Sequence, residues 1–290
     1  MDQTKREALL TAVELGNLTR AAEQLGYTQS GLSYTIKALE AELGFPLLIR
    51  SRTGVRPTAD CQRILPLLRE VDNLCRRIDQ ETADIRGLVT GTVHLAVFPC
   101  ISRFWLPDIL KNFARDYPGI NLNIRECGQE AIDAALRDGT IDFAFCSRQP
   151  RDPNDWVQFM EDDICAVVPS NHPLAEREDL PLSLLQDEPF FIEDSAYDHD
   201  IPRVLKEADF HPNIRWSSQD ELAIIAMVRA GLGVSVLPGL YLREEHPGIK
   251  VLPLAPKAHR QLGALMPNID RLTPAAKRLL TSAKKTMGVK

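Results

Sequence analysis

Between Thr28 and Lys37 the chain reads TQSGLSYTIK, and its polar members are mostly neutral hydrogen-bonding groups: Thr28, Gln29, Ser30, Ser33 and Tyr34, closed by Lys37. Chemistry of this kind recognises rather than catalyses. Gln can pair bidentately with adenine, Ser can donate or accept, and Lys can reach guanine or a phosphate. The competing reading is a solvated polar face on a small helical bundle. What decides between them is whatever turns these side chains outward.

Leu32, Ile36, Leu39 and Leu43 recur at helical spacing through the same stretch, so one face of a helix capped by Thr28 and ended by Gly44 is apolar. Two helices precede it. The first runs from a Thr4-x-x-Glu7 capping box through Leu9, Leu10 and Val13 to Gly16; the second runs from a Thr19 cap through Ala21, Ala22 and Leu25 to Gly26. The short joint before Thr28 has the length of a helix-turn-helix, whose second helix offers its N-terminal residues to base edges in the major groove. Gly31 lacks a side chain, which would allow close approach to a duplex. Phe45 to Thr58 reads as two strands about a Thr53-Gly54 turn, a hairpin wing bearing Arg50, Arg52 and Arg56 for phosphates or a narrow minor groove. From Ala59 to about Gly87 runs one long helical pattern, with a seam of Ile64, Leu67, Leu68, Val71, Leu74, Cys75 and Ile78. So narrow a stripe pairs with a second copy of itself. Pro66 is expected to kink this helix or to lie near its first turn.

The charge distribution fits this division. Net charge is −6, yet residues 1–88 hold 12 Lys+Arg and 12 Asp+Glu, so the excess acid all falls after residue 88. At 290 residues the chain suits two or three domains. No apolar run approaches the ~20 residues of a membrane span, and no secretory segment opens the chain, which points to a cytoplasmic protein without a membrane partner. The six cysteines form no C-x-x-C pair, and the six histidines show no ligand or nucleophile–base spacing. No metal site, no cofactor and no catalytic residue are therefore expected. Gly231-x-Gly233 follows a helix and precedes a strand, the reverse of a dinucleotide fingerprint.

After Thr92 strands alternate with helices: VHLAVF, INLNI, IDFAFC, VQFMEDDICAVV, FFI, VSVLP, IKVLPL and a late LGALMP are strands, with a helix from Gln219 to Ala230 among those between. This rhythm predicts helices over a mainly parallel sheet, large enough for two subdomains, with ligands beyond the carboxyl ends of strands. The acidic run Glu193 to Asp200 reads as a solvated loop capping the helix that follows it.

Taken together, these residues resemble the LysR-type transcriptional regulators. The matching signature is Leu18-Thr19-x-Ala21-Ala22-x-x-Leu25, Gln29-x-x-x-Ser33, Ile36-x-x-Leu39-Glu40-x-x-Leu43-Gly44, then Leu47, Arg50 and Thr58. Further on, Leu106-Pro107, Phe113, Tyr117-Pro118, Gly139-x-x-Asp142, His172-Pro173-Leu174 and Val228-x-x-Gly231-x-Gly233-x-x-x-Leu237-Pro238 match as well. The chain departs from the family pattern at Leu48, Pro57 and Cys61, where Phe, Leu and Gly are usual. The resemblance implies an α/β protein: a winged helix-turn-helix over 1–58, a linker and dimerisation helix with hinge over 59–91, and a periplasmic-binding-protein-like effector domain over 92–290. Within the last, subdomain I would take about 92–162 and 267–290, and subdomain II about 163–266. It also implies double-stranded promoter DNA, RNA polymerase and a second copy as partners, a dimer through the linker helix and a tetramer beyond it.

By the same resemblance a small-molecule effector lies between the subdomains, against Pro99, Cys100, Ser102, Cys127, Gly128, Cys146, Ser147, Arg148 and Gln219. Ser102 and nearby backbone amides would suit a carboxylate, with Arg148 as counter-charge, so an anionic metabolite is expected. Three cysteines at one cleft also raise a thiol- or redox-responsive regulator as the alternative. A solute-binding protein would share the second domain but not the first.

Overall fold

Three helices and a hairpin open the chain: α1 (Gln3–Leu15), α2 (Leu18–Leu25), α3 (Gln29–Leu43), β1 (Leu48–Ser51) and β2 (Gly54–Pro57), followed by the long α4 (Ala59–Ile85). The computed structural model describes residues 2–150, 152–194 and 199–289. These fall into two compact units, one of residues 1–88 with 137–140 and one of the remainder.

In the first unit Leu9, Ala12, Ala21, Leu32, Ile36, Leu39 and Leu47 are fully buried, each large aliphatic contributing about 1.5–3 kcal/mol. Leu43 is only half-buried at the end of its stripe. The first two caps differ from the reading above. Asp2, not Thr4, caps α1 by accepting from Lys5 N, and Asn17, not Thr19, caps α2 by accepting from Thr19 N and Arg20 N. In both cases a stronger carboxylate or amide cap lies two residues upstream of the hydroxyl. Thr28 caps α3 as expected. The wing turns at Arg52-Thr53, not Thr53-Gly54, because Gly54 belongs to β2 opposite Ser51. Its place is set by close approach: Val55 N donates to Gly16 O at 2.8 Å, and a Cβ at Gly54 would lie 2.2 Å from that same oxygen. Glu40 Oε1 accepts from Leu47 N at 2.7 Å and Leu48 N at 3.2 Å, tying the wing's root to α3.

α4 runs through Pro66 as one helix, with the proline inside it rather than in its first turn. The expected seam divides. Leu68 is buried in the domain core, while Leu67, Val71, Leu74 and Ile78 stay 40–64% exposed.

The second unit carries β3 (Gly91–Val97), α5 (Pro99–Phe104), α6 (Leu106–Asp116), β4 (Ile120–Glu126), α7 (Gln129–Arg137), β5 (Phe143–Ser147), β6 (Asp155–Pro169), β7 (Pro189–Glu193), α8 (Asp200–Glu207), β8 (Asn213–Ser218), α9 (Glu221–Arg229), β9 (Val234–Pro238), β10 (Ile249–Met266) and α10 (Pro274–Thr286). Eight strands form one sheet in the order β4-β3-β5-β10-β6-β9-β7-β8. The sheet is mixed rather than mainly parallel. The parallel triplets β4-β3-β5 and β9-β7-β8 are joined by β6 and β10, which run antiparallel to each other and to the strands beside them. IKVLPL and LGALMP are the two ends of the single strand β10, which bulges between Pro253 and Ala258. The edge strand β8 is an addition to the sequence reading. Two principal cores result, one around Trp105, Phe113, Phe143 and Phe145, the other around Phe190, Val204, Val234 and Val236. Of the acidic run Glu193 to Asp200, Ser195 to Asp198 lie outside the described residues.

Candidate DNA-reading surface and effector site

With Leu32, Ile36 and Leu39 sealed inward, α3 turns Gln29, Ser30, Tyr34 and Lys37 to the outside, and Tyr34 is 76% exposed. Thr28 and Ser30 are already engaged. Thr28 Oγ1 accepts from Gly31 N at 3.1 Å and lies 3.2 Å from Ser30 Oγ. A Cβ at Gly31 would sit 3.1 Å from that capping oxygen, so Gly31 has a local packing reason apart from any duplex. Arg50 Nη1 donates to Ser33 Oγ at 2.8 Å, which leaves the serine hydroxyl hydrogen available to a base acceptor. The wing arginines do not share one face. Arg56 pairs across from the exposed Ile49 and Arg50 from the buried Val55, so the two point to opposite sides, with Arg52 at the tip. Thr28, Gln29, Ser30, Ser33, Tyr34, Lys37 and Arg50 are thus brought to one side of the domain, whereas Arg52 is at the wing's tip and Arg56 on its other face.

The nine effector candidates gather less evenly. Pro99 and Cys100 begin α5, with Ser102 half-buried one turn on; Cys127 and Gly128 lead into α7; Cys146 and Ser147 end β5. These lie at the carboxyl ends of the parallel triplet β4-β3-β5, where an open α/β sheet places ligands. Gln219 is exposed and precedes α9, which starts at Glu221 with Asp220 as its cap; the helix is shorter than expected because Asp220 caps it more strongly than Gln219 can. Arg148 is exposed, with its guanidinium 6.0 Å from the Trp156 ring. It lines a pocket of about 300 Å³ with Gln149, Pro150, Arg203, His259, Arg260 and Gln261, a lining without an acid among the described residues. Ser147 Oγ and Gln129 Oε1 are buried without a hydrogen-bond partner among the described residues, although Gln129 Nε2 donates to Asp133.

Sequence reasoning missed the charged cluster beneath this cleft. Arg260 on β10 is almost fully buried and stands across from Asp162 on β6; its Nε donates to that carboxylate at 2.9 Å. Its other nitrogens reach Cys100 Sγ at 3.5 Å and Asp200 at 4.0 Å. Burial raises the Asp162 carboxyl despite the arginine beside it. Glu221 is raised by burial as well, and hydrogen bonds to Tyr241 and Glu193 work against the shift. The available signal was an acid and an arginine set inside otherwise strand-like stretches, EDDICAVV and HRQLGALM.

None of the six cysteines is in a disulfide. Burial pushes the Cys61 and Cys165 thiols up to about 11 and raises Cys127 and Cys146, the last lying fully inside the protein. Because the thiolate is the reactive form, alkylation of the native protein at pH 8 is expected to leave Cys146 unmodified until denaturant is added; peptide mapping checks this. Rapid native modification of Cys146 would favour the redox reading. Among the described residues no group of His, Cys, Asp and Glu could hold a metal, and no helix is long and apolar enough to cross a membrane.

Comparison with known proteins agrees with this geometry. The family described as "Bacterial regulatory helix-turn-helix protein, lysR family" matches residues 5–62, and "LysR substrate binding domain" matches residues 86–288. The probable HTH-type transcriptional regulator LrrA of Synechococcus elongatus is 30% identical, over 91% of this chain and 90% of its own. Full-length OxyR from Pseudomonas aeruginosa has a similar fold, with a TM-score of 0.80 at 23% identity, covering 98% of this chain and 95% of that one. The regulatory domain of CcmR from Synechocystis, in complex with 2-PG, aligns with a TM-score of 0.62 at 20% identity, over 68% of this chain and 98% of that one. With both family regions present in order across nearly its whole length, the chain belongs to the LysR family of transcriptional regulators and joins a winged helix-turn-helix to an effector-binding domain.

Proposed function

We propose that the exposed flank of α3 reads promoter DNA through Gln29, Ser33, Tyr34 and Lys37, that Thr28 and Ser30 shape the helix start, and that Arg50, Arg52 and Arg56 position the wing on the backbone. The observation that carries this reading is the division of α3 into a sealed aliphatic face and an outward hydrogen-bonding face. The regulator works in the cytoplasm as a dimer through the exposed stripe of α4, assembled further into a tetramer, and signals to RNA polymerase. It catalyses no reaction and needs no cofactor. A small anionic metabolite lies at the strand-end cleft, touching Pro99, Cys100, Ser102, Cys127, Gly128, Cys146, Ser147 and Arg148, with Gln219 at its mouth. Support for the anion comes from the exposed Arg148, in a pocket whose lining holds no acid among the described residues. The effector must bind one arrangement of the protein better than another to change its output.

Binding to an operator duplex across a salt series tests the first part. Affinity is expected to fall steeply and linearly on a log–log plot, with a slope of about −0.9 per phosphate contact. A flat salt response with no preference for any duplex overturns it.

A further inference from the structure

A second cavity, of about 520 Å³, opens between the 3-10 turn Leu182–Leu185, α8 and the bulged stretch of β10. None of the nine residues assigned to the effector lines it. Its floor is Leu182, Val204 and Leu254, all buried, and Pro256 and Ala208 stand at its walls. The rim carries Arg203, Lys257 and His259, with Glu207 as the acid among the described lining residues. Arg203 is held between two acids, its Nη1 3.4 Å from Glu207 and its Nη2 3.2 Å from the buried Asp200, which leaves Lys257 as the cation facing the cavity. Lys257 is exposed. At one end the cavity adjoins the pocket around Arg148, with which it shares Arg203 and His259.

An apolar floor with a few convergent polar groups, at a volume within the about 300–1,000 Å³ of small-molecule sites, has the form of a ligand pocket. The floor offers nothing to a sugar or a free phosphate, and the rim selects for negative charge at one end only. We propose that this cavity is a second ligand site, taking a small amphipathic carboxylate whose acyl or aryl body lies on Leu182, Val204 and Leu254 while its head group meets Lys257 and Arg203. The site differs from the strand-end cleft and does not depend on what occupies that cleft. It is placed to influence it. Its walls belong to β10, which carries Arg260 just beyond Ala258, and to α8, which begins at Asp200; both residues belong to the buried charged cluster. A ligand held between α8 and β10 therefore bears on that cluster through both elements.

Calorimetric titration of the full-length protein with octanoate tests the proposal, with octylamine as the control of opposite charge. Octanoate is expected to bind, and octylamine to bind at least about tenfold more weakly. Ala208→Phe, at the exposed end of α8, places a ring in the cavity without disturbing the core and should weaken octanoate by about tenfold or more. Lys257→Glu should weaken it by about three- to tenfold through charge alone, and serves if the first variant folds poorly. Arg148→Gln should leave octanoate within about twofold. Equal affinity for octylamine, no octanoate binding up to its solubility, or unchanged binding in Ala208→Phe each overturns the proposal. Octanoate binding lost in Arg148→Gln but kept in Ala208→Phe would assign it to the strand-end cleft, ending the second site and leaving the effector reading intact.

Discussion

Replacing Arg260 by leucine is expected to destabilise the protein by about 3–5 kcal/mol, because removing one partner of a buried ion pair leaves the other charge uncompensated. Both side chains are nearly inaccessible to water, at 1% and 3% exposure for Arg260 and Asp162, so solvent offers neither a substitute partner. The loss should be read by urea unfolding of Arg260→Leu. The double variant Arg260→Leu with Asp162→Leu should recover most of it, since an apolar pair of similar volume replaces the ion pair. The pH dependence has a definite sign. Without the guanidinium the Asp162 carboxyl rises further above its unfolded value, so the folded state holds a proton that the unfolded state releases, and stability falls as pH rises through that window. The deficit of Arg260→Leu should therefore shrink as pH is lowered from 7 to about 5. A loss below about 1 kcal/mol, or a double variant no better than the single, would mean that the arginine does not compensate the buried acid.

The second large effect concerns DNA. Gln29→Ala should cost about 1–3 kcal/mol of operator discrimination, roughly five- to 150-fold in Kd, with little change on non-specific duplex. Lys37→Ala should weaken all duplexes alike and reduce the salt slope by about one. Neither substitution touches the sealed face of α3, so thermal stability should stay close to the parent. If Gln29→Ala weakens specific and non-specific duplexes equally, the glutamine positions the protein and does not read bases.

What could be read from the sequence followed the range of the interactions. The three helices and the outward face of α3 rest on spacing within one element, and Leu32, Ile36 and Leu39 took the places their period assigns. Caps were less secure because two candidates compete within a few residues, and Asn17 and Asp2 won over Thr19 and Thr4. Strand direction was not legible at all. β10 bonds to β5 and β6, whose residues lie roughly a hundred positions away in sequence, and nothing local to HRQLGALM announces an antiparallel partner. The same distance hid Arg260. Arg148, by contrast, was legible by its place after a strand; it is exposed, with its guanidinium 6.0 Å from the Trp156 ring. The six cysteines gave little away, because what governs a thiol is the burial around it, and Cys146 is wholly enclosed.

Among the described residues only β6 and β10 join one parallel triplet to the other through the middle of the sheet, and they are hydrogen-bonded to each other on both sides of the bulge. The Arg260–Asp162 pair is a rung of that ribbon, so the two strands that join the triplets through backbone bonds are also joined to each other by a buried ion pair.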